Sequence, residues 1–93
     1  MIYTAESIDS FIDDMNGALS KCTPRRVFIM FSDASSMFSC IVYRVQHVEH
    51  ADGSVFFYDD HSEVVAEIEL TELGDGYRVV WDRSGFTVFF YHA

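Results

Sequence analysis

Residues able to do acid–base, metal or charge-pairing chemistry gather in one stretch of this sequence, YDDHSEVVAEIELTELGDG, from Tyr58 to Gly76. Asp59, Asp60, Glu63, Glu67, Glu69, Glu72 and Asp75 all fall there, with no Lys or Arg among them. On an extended strand Glu67 and Glu69 share a face at about 7 Å separation, within the range that carboxylate pairs use to activate water in inverting glycoside hydrolysis. That reaction needs a cleft and one carboxyl with a raised pKa. A sheet built from 93 residues offers little room for a cleft, and no motif around either glutamate supplies the raised pKa. HVEH (His47 to His50) and DDH (Asp59 to His61) contain metal-ligand types. Strand alternation turns His50 away from His47 and Glu49, and the helical HExxH spacing is absent. Ser35, Ser36, Ser39 and Cys40 have no GxSxG or Cys/His pattern around them, and the glycines sit singly or in turns rather than in a phosphate loop. The expectation is a chain that is not an enzyme and that uses no metal or cofactor.

Charge is what remains. Fifteen acids against six bases give a formal net charge of -9. Such a field repels nucleic acid and anionic membrane and steers the chain toward basic surfaces. Each strand of a B-form duplex presents one phosphate charge per roughly 3.4 Å of axis, and basic grooves are built to neutralise such rows. Glu67 and Glu69, with Asp59, Asp60, Glu63, Glu72 and Asp75 nearby, offer carboxylates at comparable separations. Asp9 and Asp13, one helical turn apart and followed by Asp14, supply a second row. Two readings stand side by side: an acidic face that keeps an apolar small protein soluble, or an array that occupies a partner's basic channel. The net charge exceeds the magnitude of about 2–8 that suits a small soluble domain.

The elements that must hold these acids follow from periodicity. Ile8, Phe11, Ile12, Met15, Leu19 and Cys22 recur at helical spacing, which predicts a helix over about 5–22. Thr4 or Ser7 is placed to cap its start, and Pro24 bars its continuation. From about 25 to 92 the pattern is one of strands. RVFIMFS (Arg26 to Ser32) is apolar on both faces, as in a central strand. A long run from Met37 to His50 slips its alternation near Gln46, where a bulge is expected, and Ala51, Asp52 and Gly53 close a hairpin into SVFFYDD. Val64 to Leu73 reads as strand through the alternation of Ala66, Ile68 and Leu70 with Glu67, Glu69 and Thr71, although Ser62 is also placed to cap a helix there. GDG (Gly74 to Gly76) and Ser84–Gly85 then turn the chain through YRVVWDR into FTVFFYH, an expected antiparallel meander. The predicted fold is α+β, a single domain over 1–93 with one N-terminal helix packed on an antiparallel sheet of five or six strands. With 49% hydrophobic and 16% aromatic residues, a core forms without staples, and Cys22 and Cys40 are expected as buried free thiols. MIYTAESIDSF has no basic region followed by an apolar run, and no apolar segment nears the roughly 20 residues of a membrane span, so a cytoplasmic protein is expected.

The 93-residue length, the single helix ESIDSFIDDMNGALS, the aromatic-rich sheet and the acidic patch from Asp59 to Asp75 together resemble the small acidic anti-CRISPR inhibitors of phages and mobile elements. The resemblance lies in size, charge and architecture, and no motif carries it. It implies stoichiometric binding to a CRISPR effector subunit, at a site otherwise used by target DNA, in the cytoplasm of a host cell. The alternative is a structural or adaptor module that associates through aromatic strands. FTVFFYHA sets Phe86, Val88 and Phe90 on one side and Phe89 and Tyr91 on the other, which marks either a central strand or an oligomer interface. Monomer and homodimer are both compatible with these patterns.

Overall fold

Side chains that alternate about an extended backbone bury one face or two, and that choice sorts the strands of this protein into two sheets. The computed structural model describes residues 2–5, 8–32, 37–70 and 77–92. In chain order the elements are β1 (Ile2–Ala5), α1 (Ile8–Lys21), β2 (Arg26–Ser32), β3 (Met37–Tyr43), β4 (Val45–Ala51), β5 (Ser54–Asp59), β6 (Val64–Glu69), β7 (Tyr77–Asp82) and β8 (Thr87–His92). The larger sheet has the order β1-β7-β8-β2-β3 and the smaller β4-β5-β6. The class is α+β, as the sequence predicts.

Several details differ from the sequence reading. Among the described residues there are two sheets rather than one of five or six strands, and the larger is mixed, because β2 and β8 run parallel from Phe28↔Thr87 to Ser32↔Tyr91. The run from Met37 to His50 is two strands. Arg44 between them takes a left-handed backbone, φ 58°, which redirects the chain from one sheet into the other, and its N–H donates to the Arg25 carbonyl. The last three strands are not a meander: β7 and β8 form a hairpin in the larger sheet while β6 closes the smaller. The helix begins at Ile8 because Ile2–Ala5 pairs with β7. It ends at Lys21, one residue short of Cys22, which is exposed, and Cys40 on β3 is half-buried, so both are free thiols but neither is buried as the sequence predicts. Burial pushes the Cys40 thiol up from its ordinary pKa. Other expectations match local geometry. The register of β4 shifts between Val45 and His47, Asp52 and Gly53 both take positive φ in the two-residue turn, and the strand expected over Val64 to Leu73 is present as Val64–Glu69, its residues 71–73 and the turn at Gly74–Gly76 lying outside the described residues.

The core follows from these placements. Phe11 of α1 meets Trp81 and Phe90 edge-on, with ring centroids 6.0 and 5.6 Å away. Val27, Ile29, Val79 and Val88 of the larger sheet join Val48, Val55, Phe57 and Ile68 of the smaller in the same buried cluster. β8 lies between β7 and β2, so FTVFFYH is a central strand with Val88 and Phe90 fully buried. Asn16 on α1 docks against β4, an edge of the smaller sheet. Its side-chain amide donates to the Val48 carbonyl and its oxygen accepts from the Val48 N–H, both at 2.9 Å. One side chain thereby supplies the pairing that a neighbouring strand would give, and it fixes α1 alongside β4.

Candidate protein-interaction surface

Register decides which acids stand together. Glu49 pairs with Phe56, and Phe56 pairs with Glu67, so the three side chains form one row across the outer face of the smaller sheet. Strand spacing puts the two glutamate backbones about 10 Å apart. Glu69 follows two residues after Glu67 on the same face, about 7 Å along β6, opposite Ser54. That step is about twice the axial rise per phosphate of one duplex strand. Glu49, Glu67 and Glu69 are exposed, and the Ser54 hydroxyl donates to the Glu67 carboxylate at 3.3 Å. The same face carries His47 stacked flat on Tyr58 at 4.4 Å, with His47 Nε2 3.6 Å from the Glu49 carboxylate. Partial desolvation raises the Tyr58 pKa, and its hydrogen bond to Glu49 and that residue's charge add to the effect.

Asp59, Asp60 and Glu63 cap one end of this sheet in the tight turn from β5 to β6. Asp59 is committed to the turn: its carboxylate accepts from the N–H groups of His61 and Glu63 at 2.8 and 3.0 Å. The Glu63 N–H, ahead of that of His61, pulls its pKa below the ordinary value, against a smaller opposing effect of desolvation. Ser62 completes the turn with φ 61°. Asp60 and Glu63 are exposed, and Asp60 lies 3.8 Å from His61.

The helical row joins from the side. Asp9 lies 3.3 Å from His50 on β4, and Asn16 holds Val48, so Asp9, Asp13 and Asn16, at positions i, i+4 and i+7, line the face of α1 beside that strand. Asp14 lies about 100° further round the helix and is half-buried, so it does not join the row. Glu72 and Asp75 lie outside the described residues. β4, β5 and β6 contain no Lys or Arg. The surface thus gathers Asp9 and Asp13 at its margin, Glu67 and Glu69 on its face, and Asp60 and Glu63 at its end.

Glu49 and Phe56 complete the array and were missed as members of it by sequence reasoning, which grouped Glu49 with the histidines of HVEH. The signal was present. A two-residue turn at Asp52–Gly53 fixes Ala51 opposite Ser54, and counting back sets Glu49 opposite Phe56. His50 points away from His47 and Glu49, toward Asp9, and among the described residues no three His, Cys, Asp or Glu side chains gather as a metal site. Two surface concavities, one lined by residues including Phe28, Met30, Ser39 and Ile41 and the other by residues including Lys21, Cys22, Arg83 and Phe86, have no carboxylate in their walls. Among the described residues no helix is long and apolar enough to cross a membrane. Comparison with known proteins finds no matching family model, no matching curated protein and no matching solved structure.

Proposed function

We propose that this chain is a small acidic binding protein that inhibits a nucleic-acid-handling partner by occupying its basic surface, an anti-CRISPR-type inhibitor whose partner is a CRISPR effector subunit in the cytoplasm. The observation that carries the reading is the row Glu49–Phe56–Glu67 with Glu69 beside it, displayed on a rigid, base-free three-stranded sheet. Strands fix the backbones that carry these carboxylates, so when a Lys/Arg-lined channel closes on them the ordering cost is confined to the glutamate side chains. Phe56 between the two glutamates gives the array an apolar centre, the arrangement of an interface core inside a polar rim. Asp9 and Asp13 widen the acidic margin. The protein does not bind nucleic acid itself, and it turns over no substrate in this reading.

The test is charge reversal on the face. Glu67→Lys, Glu69→Lys and Asp60→Lys together leave the core untouched, because none of these side chains belongs to it. The triple variant is expected to keep its circular-dichroism spectrum and to lose capture of a nucleic-acid-binding complex from lysate. Wild-type capture is expected at low salt and to be lost at high salt. Unchanged capture by the triple variant would sink the proposal.

A further inference from the structure

The strands of the acidic surface carry no permanent positive charge, yet the surface is set with groups that become positive at mildly acid pH. β4, β5 and β6 contain no Lys or Arg. Lys21 ends α1, Arg26 and Arg78 belong to the larger sheet, and Arg25, Arg44 and Arg83 lie in connections. Three of the four histidines, in contrast, stand against acids of the surface. On the face, His47 Nε2 lies 3.6 Å from the Glu49 carboxylate. At the margin, His50 Nδ1 lies 3.3 Å from that of Asp9. At the end of the sheet, His61 Nε2 lies 3.8 Å from that of Asp60. Face, margin and end therefore each have an imidazole of their own. Histidine is the side-chain type whose charge ordinarily changes between about pH 5 and 8, while carboxyl groups ordinarily titrate near pH 4 and guanidinium stays charged throughout.

We infer that the three imidazoles are a proton-operated switch on this surface: neutral rings leave the carboxylates free to attract a basic partner, and protonated rings offset the acids beside them and repel that partner. The inference rests on the reading of this surface as the one that meets a basic partner, and it adds a control to that reading. The groups around each ring act in the same sense. His47 is stacked on Tyr58 of β5, whose hydroxyl is held above its ordinary pKa and stays neutral. The charges facing His47 are Glu49 on its own strand and, beyond Phe56, Glu67 on β6. Along the β4 edge α1 contributes Asp9 and Asp13, and His50 meets the first of these, with Asp52 in the turn two residues on. His61 has Asp59, Asp60 and Glu63 in its own turn, where the charges of His61 and Arg44 both act on Asp59. A proton gained at any ring cancels negative charge where a partner's Lys and Arg would meet it. One charge about 4 Å away in water changes an equilibrium constant by about fivefold. Three such charges, unevenly placed and partly screened, are expected to weaken binding by about tenfold or more.

Titration of the intact chain with a short acetylated and amidated oligo-arginine tests the switch, because this probe keeps the same charge at every pH used. Wild type is expected to bind the probe about tenfold or more weakly at about pH 5.5 than at about pH 7.5, at the same low ionic strength. Calorimetry between these two values, in buffers of different ionisation enthalpy, is expected to show protons released on binding, since the probe favours the neutral rings. His47→Gln with His50→Gln and His61→Gln is expected to keep the wild-type circular-dichroism spectrum and to bind the probe with the same affinity at both pH values. Equal wild-type affinity at the two pH values, or binding without proton release, overturns the switch and leaves the reading of the surface standing. A pH dependence retained by the folded triple variant also overturns it. No binding of the probe at neutral pH overturns the reading of the surface, and the switch with it.

Discussion

Asp59 illustrates how one carboxylate in an acidic run differs from its neighbours. Its oxygen closes the turn from β5 to β6 by accepting two backbone N–H groups, and those bonds favour the charged form, so its folded pKa is lowered. A depressed carboxylate contributes stability that is fully present above the unfolded value, about 3.9, and is lost as the pH falls through the folded value. The same sign holds for Asp82, where the Ser84 hydroxyl at 2.8 Å leads the causes. Asp59→Asn is therefore expected to be less stable than wild type at neutral pH, with the difference shrinking below about pH 4 as the wild-type carboxyl takes up its proton. Thermal melts of both proteins between neutral and strongly acid pH check this, and a difference that grew on acidification would contradict the turn-closing role. Asp60, one residue away, has no comparable pair of backbone donors, which is why it is available for a partner.

At the scale of elements, the placement of α1 depends on two kinds of contact. The buried stripe of Ile8, Phe11, Met15 and Leu19 supplies most of the hydrophobic gain, while Asn16 sets where the helix lies along β4. Asn16→Ala leaves the Val48 N–H and carbonyl without the amide, at a cost of about 1–3 kcal/mol. The expected signature is a lower denaturation midpoint together with faster exchange of the Val48 amide. Asn16→Asp retains the acceptor but loses the donor and sets a carboxylate against the Val48 carbonyl, so it is expected to be no better than Asn16→Ala. This contact also shows where sequence reading stops. The helix, the bulge near Gln46, the Asp52–Gly53 turn and the central character of β2 were legible, because each rests on local periodicity or turn chemistry, whereas β8 read as either a central strand or an interface. The second sheet was not. It depends on one left-handed residue, Arg44, in a run whose alternation slips only beyond it, near Gln46, and nothing in the residue type demands that conformation. The β2–β8 parallel pairing is equally silent in sequence, being a long-range choice between strands that are apolar on both faces. Of the acidic surface, Glu67 and Glu69 were legible from alternation. The place of Asp9 and Asp13 beside β4 depends on how α1 docks.

For the whole molecule, the uneven distribution of charge has an energetic consequence. Glu49, Glu67 and Glu69 share the outer face of the smaller sheet and Asp9 and Asp13 lie along its β4 edge, with no Lys or Arg on β4, β5 or β6 to offset them, while Arg26 belongs to the larger sheet and lies over the Phe28 ring. Like charges fixed on neighbouring elements repel in the folded state more than in an expanded chain, so the acidic surface costs stability. Salt shortens the reach of that repulsion to about 10 Å at 0.1 M and about 3 Å at 1 M. The melting temperature is therefore expected to rise as salt is added from low ionic strength. Glu49→Gln with Glu67→Gln is expected to raise it at low salt, with a gain that fades at high salt as screening removes what the substitutions removed. Melts of the two proteins across a salt series measure this coupling directly. A wild-type melting temperature independent of salt would show that the carboxylates do not repel one another appreciably. A gain from the double substitution that persisted at high salt would instead trace it to packing around Phe56, and the electrostatic argument for the surface would lose its basis.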